Sequence, residues 1–342
     1  MCVSCDGETS NGQASLNALG EFLARLCYDD GFRGQDRQDG RDGWDGTNVE
    51  GTNMNSIRKA AIVVALISLP ALPALSADPI VKGPEHGALV IVGGGKVGDD
   101  ILGRMFELGG GKDAPLVVIP TASGADDYPA DWSGLKMFKD FGATHITLLH
   151  TKDRAVADSE AFVKPITSAK IVWFVGGRQW RLVDSYLHTR TQREIEHVLD
   201  RGGVVAGSSA GASIISSYMV RGAVENNFIM MAPGYEEGFG LMKGVAIDQH
   251  MLTRNRQDDL EEVVEKHPDV LGIGLDESTA IVVQGQQFEV IGASKIAIHD
   301  GRIVKGAQER NGGKKKYFFM GPGEKYDLNK LERIGKPKPA EP

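Results

Sequence analysis

From residue 88 onward, short runs of β-branched and aliphatic residues alternate with longer stretches whose apolar positions recur every three or four residues. The short runs predict strands at 88–92, 115–119, 145–149, 171–175 and 204–206, and the stretches between them predict helices at 99–108, 127–141, 180–186 and 191–201. Ile171-Val172-Trp173-Phe174-Val175 is apolar at every position, as expected of a strand covered on both faces. This alternation predicts an α/β domain with a mostly parallel sheet and helices on both faces.

The rhythm loosens after residue 209. A short strand is expected at 245–248, a helix at 256–266 and a break at 272–274. Four close-spaced strand candidates with Gly turns follow, at 280–283, 288–291, 295–299 and 316–319, and these read as an antiparallel extension of the main sheet. The Pro- and Lys-rich end, 336–342, has nothing to pack and reads as a disordered tail.

The N-terminal part follows a different pattern. Arg58 and Lys59 precede an apolar run from Ala60 to Leu69, and Ala74-Leu75-Ser76-Ala77 ends in small residues. These are the three parts of a secretory signal peptide, so 54–77 is expected to be removed after Ala77 and the protein exported to a periplasm or to the outside. Pro70 and Pro73 cut the apolar run well short of the roughly 20 residues that a spanning helix needs, which makes a membrane anchor the weaker reading and leaves no integral segment after cleavage. Residues 1–53 sit on the wrong side of such a signal and include a Gly-, Asp- and Arg-rich stretch with little to bury. They read as a mis-assigned extension or a disordered arm, with Met54 as the biological start. One domain, 78–335, is then expected.

Composition narrows the function. The 342-residue chain is 41% hydrophobic and 25% charged, ordinary for a globular protein, and its net charge of −8 speaks against nucleic acid as a partner. Its three cysteines, Cys2, Cys5 and Cys27, all precede the predicted domain, which excludes a cysteine nucleophile and a disulfide framework there. His86, His145 and His150 lack ligand spacing, so no metal or other cofactor is expected.

The sharpest local signal is Gly207-Ser208-Ser209-Ala210-Gly211, directly after the strand at 204–206 and before the apolar Ile214-Ile215. It fits G-x-S-x-G in a strand–turn–helix context, where the turn lifts a serine hydroxyl out of the sheet and the helix start offers free N–H groups. A glycine-rich turn that binds phosphate or merely packs tightly is the bland alternative. A serine nucleophile needs a base and a group that orients the base. His250 ends a predicted strand, and Glu277 follows the run Leu271-Gly272-Ile273-Gly274-Leu275, so both fall at strand ends, where parallel sheets place their sites.

In this order and at these separations, the segments at 207–212, 248–250 and 276–279 resemble the cyanophycinase and dipeptidase E family of serine peptidases. The resemblance covers roughly residues 85–300 and implies a class I glutamine amidotransferase-like fold, with Ser209 as nucleophile, His250 as base and Glu277 as orienter. Phe174-Val175-Gly176-Gly177-Arg178-Gln179 is similar to the family's Gly-Gly-x-Gln segment, which implies an oxyanion hole from the amides of Gly177 and Ala210 and a substrate contact at Gln179. Val92-Gly93-Gly94-Gly95-Lys96 resembles the family's first Gly-rich turn.

By the same resemblance Asp248, Gln249, Arg254 and Arg256 are expected to contact substrate, the arginines gripping a carboxylate. A solvated helix start is the alternative for the arginines. A third basic position of the cyanophycin-degrading pattern is Asp259 here, which removes one carboxylate contact and adds a negative charge. The expected partner is thus an acidic peptide, aspartyl or β-aspartyl, with a cyanophycin-like polymer as one candidate, and a homodimer is left open. Two other classes stay in view. An α/β-hydrolase esterase or lipase would place its acid before its histidine in the chain, opposite to the order here, and a non-catalytic binding protein could use the same fold.

Mass spectrometry of the native N-terminus is expected to find a chain starting near Asp78; detection of any peptide from residues 1–53 would overturn Met54 as the start.

Overall fold

The computed structural model describes residues 81–301 and 317–335. The predicted extension, the signal peptide with its cleavage site, all three cysteines and the C-terminal tail lie outside the described residues.

Five apolar runs form the strands β1 (Ala88–Val92), β2 (Leu116–Ile119), β3 (Ile146–Leu148), β4 (Ile171–Phe174) and β5 (Val204–Ser208). They lie side by side in the order β1-β5-β4-β2-β3, all parallel. The strand period of two divides β1, β2, β4 and β5 between two cores, while the edge strand β3 adds Ile146 and Leu148 to one of them and leaves Thr147 exposed. Leu89 and Ile91 of β1 enter one apolar cluster, whereas Ala88, Val90 and Val92 enter the other, on the opposite face. Both faces of β1, β2, β4 and β5 are covered, and that is why these four strands read as apolar runs.

Helices α1 (Asp99–Gly109) and α2 (Lys136–Phe141) cover one face. On the other lie α3 (Arg154–Ala157), α4 (Glu160–Thr167), α5 (Trp180–Tyr186), α6 (Arg190–Asp200) and the single turn α7 (Ala210–Ser213). The helix expected over 127–141 is reduced to its last six residues behind a 3₁₀ turn, in a stretch where Pro129 and Gly134 weaken helix formation. Helices α3 and α4 escaped the sequence reading. Their caps are regular, with Asp153 accepting from the amides of Ala155 and Val156 and Ser159 from that of Phe162, but α3 is one turn long and Pro165 interrupts α4.

The remaining strands are β6 (Ser216–Tyr218), β7 (Met242–Gln249), β8 (Leu271–Leu275), β9 (Thr279–Gln284), β10 (Gln287–Gly292), β11 (Ile296–His299), β12 (Tyr317–Met320), β13 (Lys325–Asp327) and β14 (Glu332–Ile334). The expected antiparallel extension exists: β9, β10, β13 and β14 continue the main sheet beyond β1, giving nine strands. Two expectations are corrected. The strands at 295–299 and 316–319 do not join that extension but enter a second, five-stranded sheet ordered β12-β11-β8-β7-β6. The glycine-containing stretch at 272–274 is not a break either; it lies inside β8, where Gly272 faces the Cβ of His299 and Gly274 the side chain of Met251. The second sheet packs Val245, Ile247, Ile273 and Ile298 into the same cluster as Leu89 and Ile91, so one core holds the two sheets together. After β7 the chain runs through turns to α8 (Leu260–Lys266), which starts four residues later than expected.

Candidate active site

The two sheets meet at the C-terminal end of β1. Ser209 follows β5 of the main sheet and His250 follows β7 of the second, while Glu277 lies on the turn from β8 to β9, where the chain crosses from one sheet to the other. Three successive carbonyls at the end of β1 hold the three turns. The amide of Ser209 donates to Val92 O (3.0 Å), that of His250 to Gly93 O (2.8 Å) and that of Ser278 to Gly94 O (2.9 Å).

Ser209 has φ 56° and ψ −113°, and His250 (φ 57°) and Ser278 (φ 54°) are also at positive φ. Such backbone is uncommon for non-glycine residues and persists only where the surroundings enforce it. The glycines of Gly207-Ser208-Ser209-Ala210-Gly211 allow the sharp turn by close approach. A Cβ on Gly207 would lie 2.2 Å from Gly211 O, and one on Gly211 would lie 2.2 Å from Phe174 O. The Gly93–Gly95 turn is built into the site in the same way. A Cβ on Gly94 (φ +116°) would meet His250 Cε1 at 2.3 Å, and one on Gly95 would meet Glu277 Oε2 at 2.8 Å.

These constraints bring the three side chains into a hydrogen-bonded chain. Ser209 Oγ is 2.8 Å from His250 Nε2, and His250 Nδ1 is 2.6 Å from Glu277 Oε1. An ionised carboxylate only accepts, so Nδ1–H donates to Glu277 and Nε2 is left to accept the serine O–H. Burial pushes the imidazole below its ordinary pKa; Glu277 raises it, and the nearby Arg254 and Arg256 push it down again. The ring is therefore neutral near pH 7 and able to take a proton.

The Gly176–Gly177 segment packs against the serine, since a Cβ on Gly176 would lie 3.2 Å from Ser209 Cβ. Among the described residues neither the amide of Gly177 nor that of Ala210 has a hydrogen-bond partner. The helix behind the serine is only the four-residue α7, so any anion stabilisation here rests on individual amides rather than on a long helix dipole. Arg178, next in the chain, donates to the carbonyls of Ala223, Val224 and Asn226 and so ties this segment to the loop after β6.

The expected substrate-contact residues separate into two groups. Arg254 is exposed, and Arg256, 7% exposed, donates to Gln249 O (3.4 Å) and Oε1 (3.2 Å). Among the described residues neither arginine has a carboxylate partner. Asp248 is corrected from a substrate contact to a structural anion: it is fully buried and both its oxygens are taken by Arg221, at 2.6 and 2.8 Å. Gln249 bridges Arg256 and Ser213 Oγ, and buried Gln179 donates to Val220 O at 2.7 Å. Both support the wall of the site. The negative charge expected at Asp259 is paired, because its carboxylate lies 2.5 Å from Arg221 Nη2.

The sequence reading missed Arg221 and Asp276. An arginine in the otherwise apolar Met219-Val220-Arg221 was a usable signal for a buried, paired charge. Asp276 accepts from the amides of Leu252 and Thr253, from Thr253 Oγ1 and from Ser294 Oγ, fixing the turn after His250. Burial pushes its carboxyl up, but the bonds from Ser294 and Thr253 outweigh that and hold it below the usual range. Among the described residues no cluster of three or more His, Cys, Asp or Glu has the geometry to hold a metal ion. A cavity of about 450 Å³, lined in part by His86, Glu196 and Lys243, contains none of these site residues.

This geometry on a parallel sheet is that of a serine-type peptidase with a class I glutamine amidotransferase-like fold. A model of peptidase family S51 matches residues 89–291, and the chain belongs to that family. It is 31% identical to a cyanophycinase of Geminocystis herdmanii (strain PCC 6308) over 223 residues, 64% of this chain and 82% of the relative. It is 32% identical to a cyanophycinase of Nostoc sp. (strain PCC 7120 / SAG 25.82 / UTEX 2576) over 226 residues, 62% and 73% of the two chains. Among solved structures, the crystal structure of a peptidase from an acI-B1 Actinobacterium shares the fold, with a TM-score of 0.53 at 23% identity over 72% of this chain and 98% of that one.

Gly94→Ala tests the turn. The added methyl must displace the His250 ring, and a misplacement of about 1 Å at a reacting group costs on the order of a hundredfold in rate. A kcat within twofold of wild type would show that the turn does not set the histidine.

Proposed function

We propose that Ser209 is the nucleophile, His250 the general base and Glu277 the residue that orients it, in an enzyme that hydrolyses acidic peptides, aspartyl or β-aspartyl. The observation that carries this reading is the unbroken chain from Ser209 Oγ through His250 to Glu277. The serine oxygen attacks the scissile carbonyl while its proton passes to His250 Nε2. The amides of Gly177 and Ala210 stabilise the oxyanion. Collapse breaks the C–N bond, and the imidazolium returns its proton to the departing amine. Water, deprotonated by the same Nε2, then hydrolyses the acyl-enzyme. Glu277 keeps Nδ1 protonated throughout and stabilises the imidazolium.

Two features support an acidic substrate. The amide of Arg254 donates to His250 O and the side chain of Arg256 to Gln249, the residue before it, so both arginines lie beside the histidine, and neither has a carboxylate partner among the described residues. Planar guanidinium groups bind carboxylates with paired, charge-assisted bonds. The relatives' name, cyanophycinase, adds a cyanophycin-like polymer as one candidate within that class. Export rests on the signal-like sequence at 54–77.

The test is to incubate the purified enzyme with aspartyl dipeptides, their neutral counterparts, β-linked Asp–Arg polymer and simple esters in parallel. Acidic peptides are expected to be cleaved fastest. Ser209→Ala should lower kcat by at least about a thousandfold. Arg256→Met should cost the acidic peptides about tenfold in kcat/KM relative to neutral ones, since a charge-assisted contact is worth about 1.5–3 kcal/mol. Activity surviving in Ser209→Ala would overturn the nucleophile, and equal losses on acidic and neutral peptides would overturn the carboxylate contact.

A further inference from the structure

Residues 222–229, after β6, form neither helix nor strand and expose Val224, Phe228 and Ile229. Among the described residues, the hydrogen bonds that reach this stretch from outside come from two arginines. Arg178 Nη2 donates to Asn226 O (2.8 Å), Val224 O (3.4 Å) and Ala223 O, and Arg221 Nη1 donates to Asn227 O (2.9 Å). Nε and Nη2 of Arg221 also grip the two oxygens of Asp248, two residues before His250. The loop is thus strung between the segment that carries the Gly177 amide and the strand that leads to His250.

The direction of that amide depends on what holds its neighbours. Gly177 (φ 146°) follows another glycine, and its N–H has no hydrogen-bond partner among the described residues. On one side the amide of Val175 donates to Ile119 O (3.0 Å), and on the other the amide of Arg178 donates to Ala122 O (2.8 Å). A Cβ on Gly177 would lie 2.0 Å from Ala122 O, so no side chain can stiffen the turn from within. Arg178 holds it from outside, and at a cost. Its Nε is buried without a hydrogen-bond partner among the described residues, and burial pushes the guanidinium below its ordinary pKa. Costs of this kind lower stability and persist where they serve a site. We propose that Arg178 is a positioning residue for the oxyanion hole: by clamping the carbonyls of the 223–226 loop, which Arg221 ties to the strand before His250, it fixes the Gly177 amide relative to Ser209 and His250. It acts through that amide and not on the substrate. The inference rests on the oxyanion hole proposed above.

Arg178→Met removes the clamp and keeps an aliphatic stem. On the peptide that wild type cleaves fastest it should lower kcat about a hundredfold with KM within about twofold, because a misplaced oxyanion donor weakens the transition state and not substrate binding. Arg178→Lys places its nitrogen one bond short of Nη2 and should lose about tenfold in kcat. A peptide aldehyde separates this role from general damage. Ser209 Oγ adds to its carbonyl carbon, His250 takes the serine proton, and the new anionic oxygen lies in the hole. Its affinity should fall by the same factor as kcat in each variant, while that of the matched peptide alcohol, which forms no adduct, stays within about twofold. A kcat within about twofold of wild type in either variant, a loss confined to KM, or equal losses of aldehyde and alcohol affinity would overturn the role of Arg178. A wild type that binds the aldehyde no more tightly than the alcohol would overturn the serine mechanism and oxyanion hole on which that role rests.

Discussion

The site depends on three backbone carbonyls. Val92, Gly93 and Gly94 accept in succession from the turns that carry Ser209, His250 and Glu277. These turns come from different strands of two sheets, and no local sequence preference could align them. The carbonyls spaced along the end of β1 do so, because each fixes one turn while the common apolar cluster beneath fixes the sheets. The cost is backbone at positive φ in Ser209, His250 and Ser278, conformations that elsewhere would relax. The small size of the glycine turn is part of the same arrangement, because side chains there would occupy the space of the imidazole and of the Glu277 carboxylate.

Electrostatics then tunes what geometry has assembled. His250 is kept neutral by burial and by two neighbouring arginines, against the pull of Glu277. In the proposed reading the same arginines make the substrate subsite cationic. Positive charge beside the proposed general base is compatible with its work, since it lowers the proton affinity of the free imidazole and would attract an anionic substrate. Once bound, a substrate carboxylate would offset that charge and raise the proton affinity of the ring at the moment it must accept the serine proton.

Much of this was legible in the sequence because it is encoded locally. The parallel strands announced themselves as unbroken apolar runs, and Ser209 sat in a motif whose glycines are dictated by contacts within a few residues, as Gly207 against Gly211 shows. What stayed hidden depends on long-range pairing. Alternation identifies the strands at 295–299 and 316–319 but not their partners, so their place in a second sheet could not be read. A glycine-containing strand such as β8 resembles a break until the side chains that need its bare positions are known. The pairing of Arg221 with Asp259 spans 38 residues, and a lone aspartate in an arginine's place reads as an added charge until its counter-ion is found.

The central claim, that Ser209 is the activated nucleophile of this site, is tested most directly by covalent labelling. A fluorophosphonate reacts with a serine oxygen whose proton a neighbouring base can accept, displacing fluoride and forming a stable phosphonyl ester. Mass spectrometry of the labelled and digested enzyme is expected to find one adduct, on Ser209, formed rapidly in the wild type and at least about a hundredfold more slowly in His250→Ala. A stoichiometric adduct on a different serine, or labelling of Ser209 at the same rate with and without His250, would contradict it.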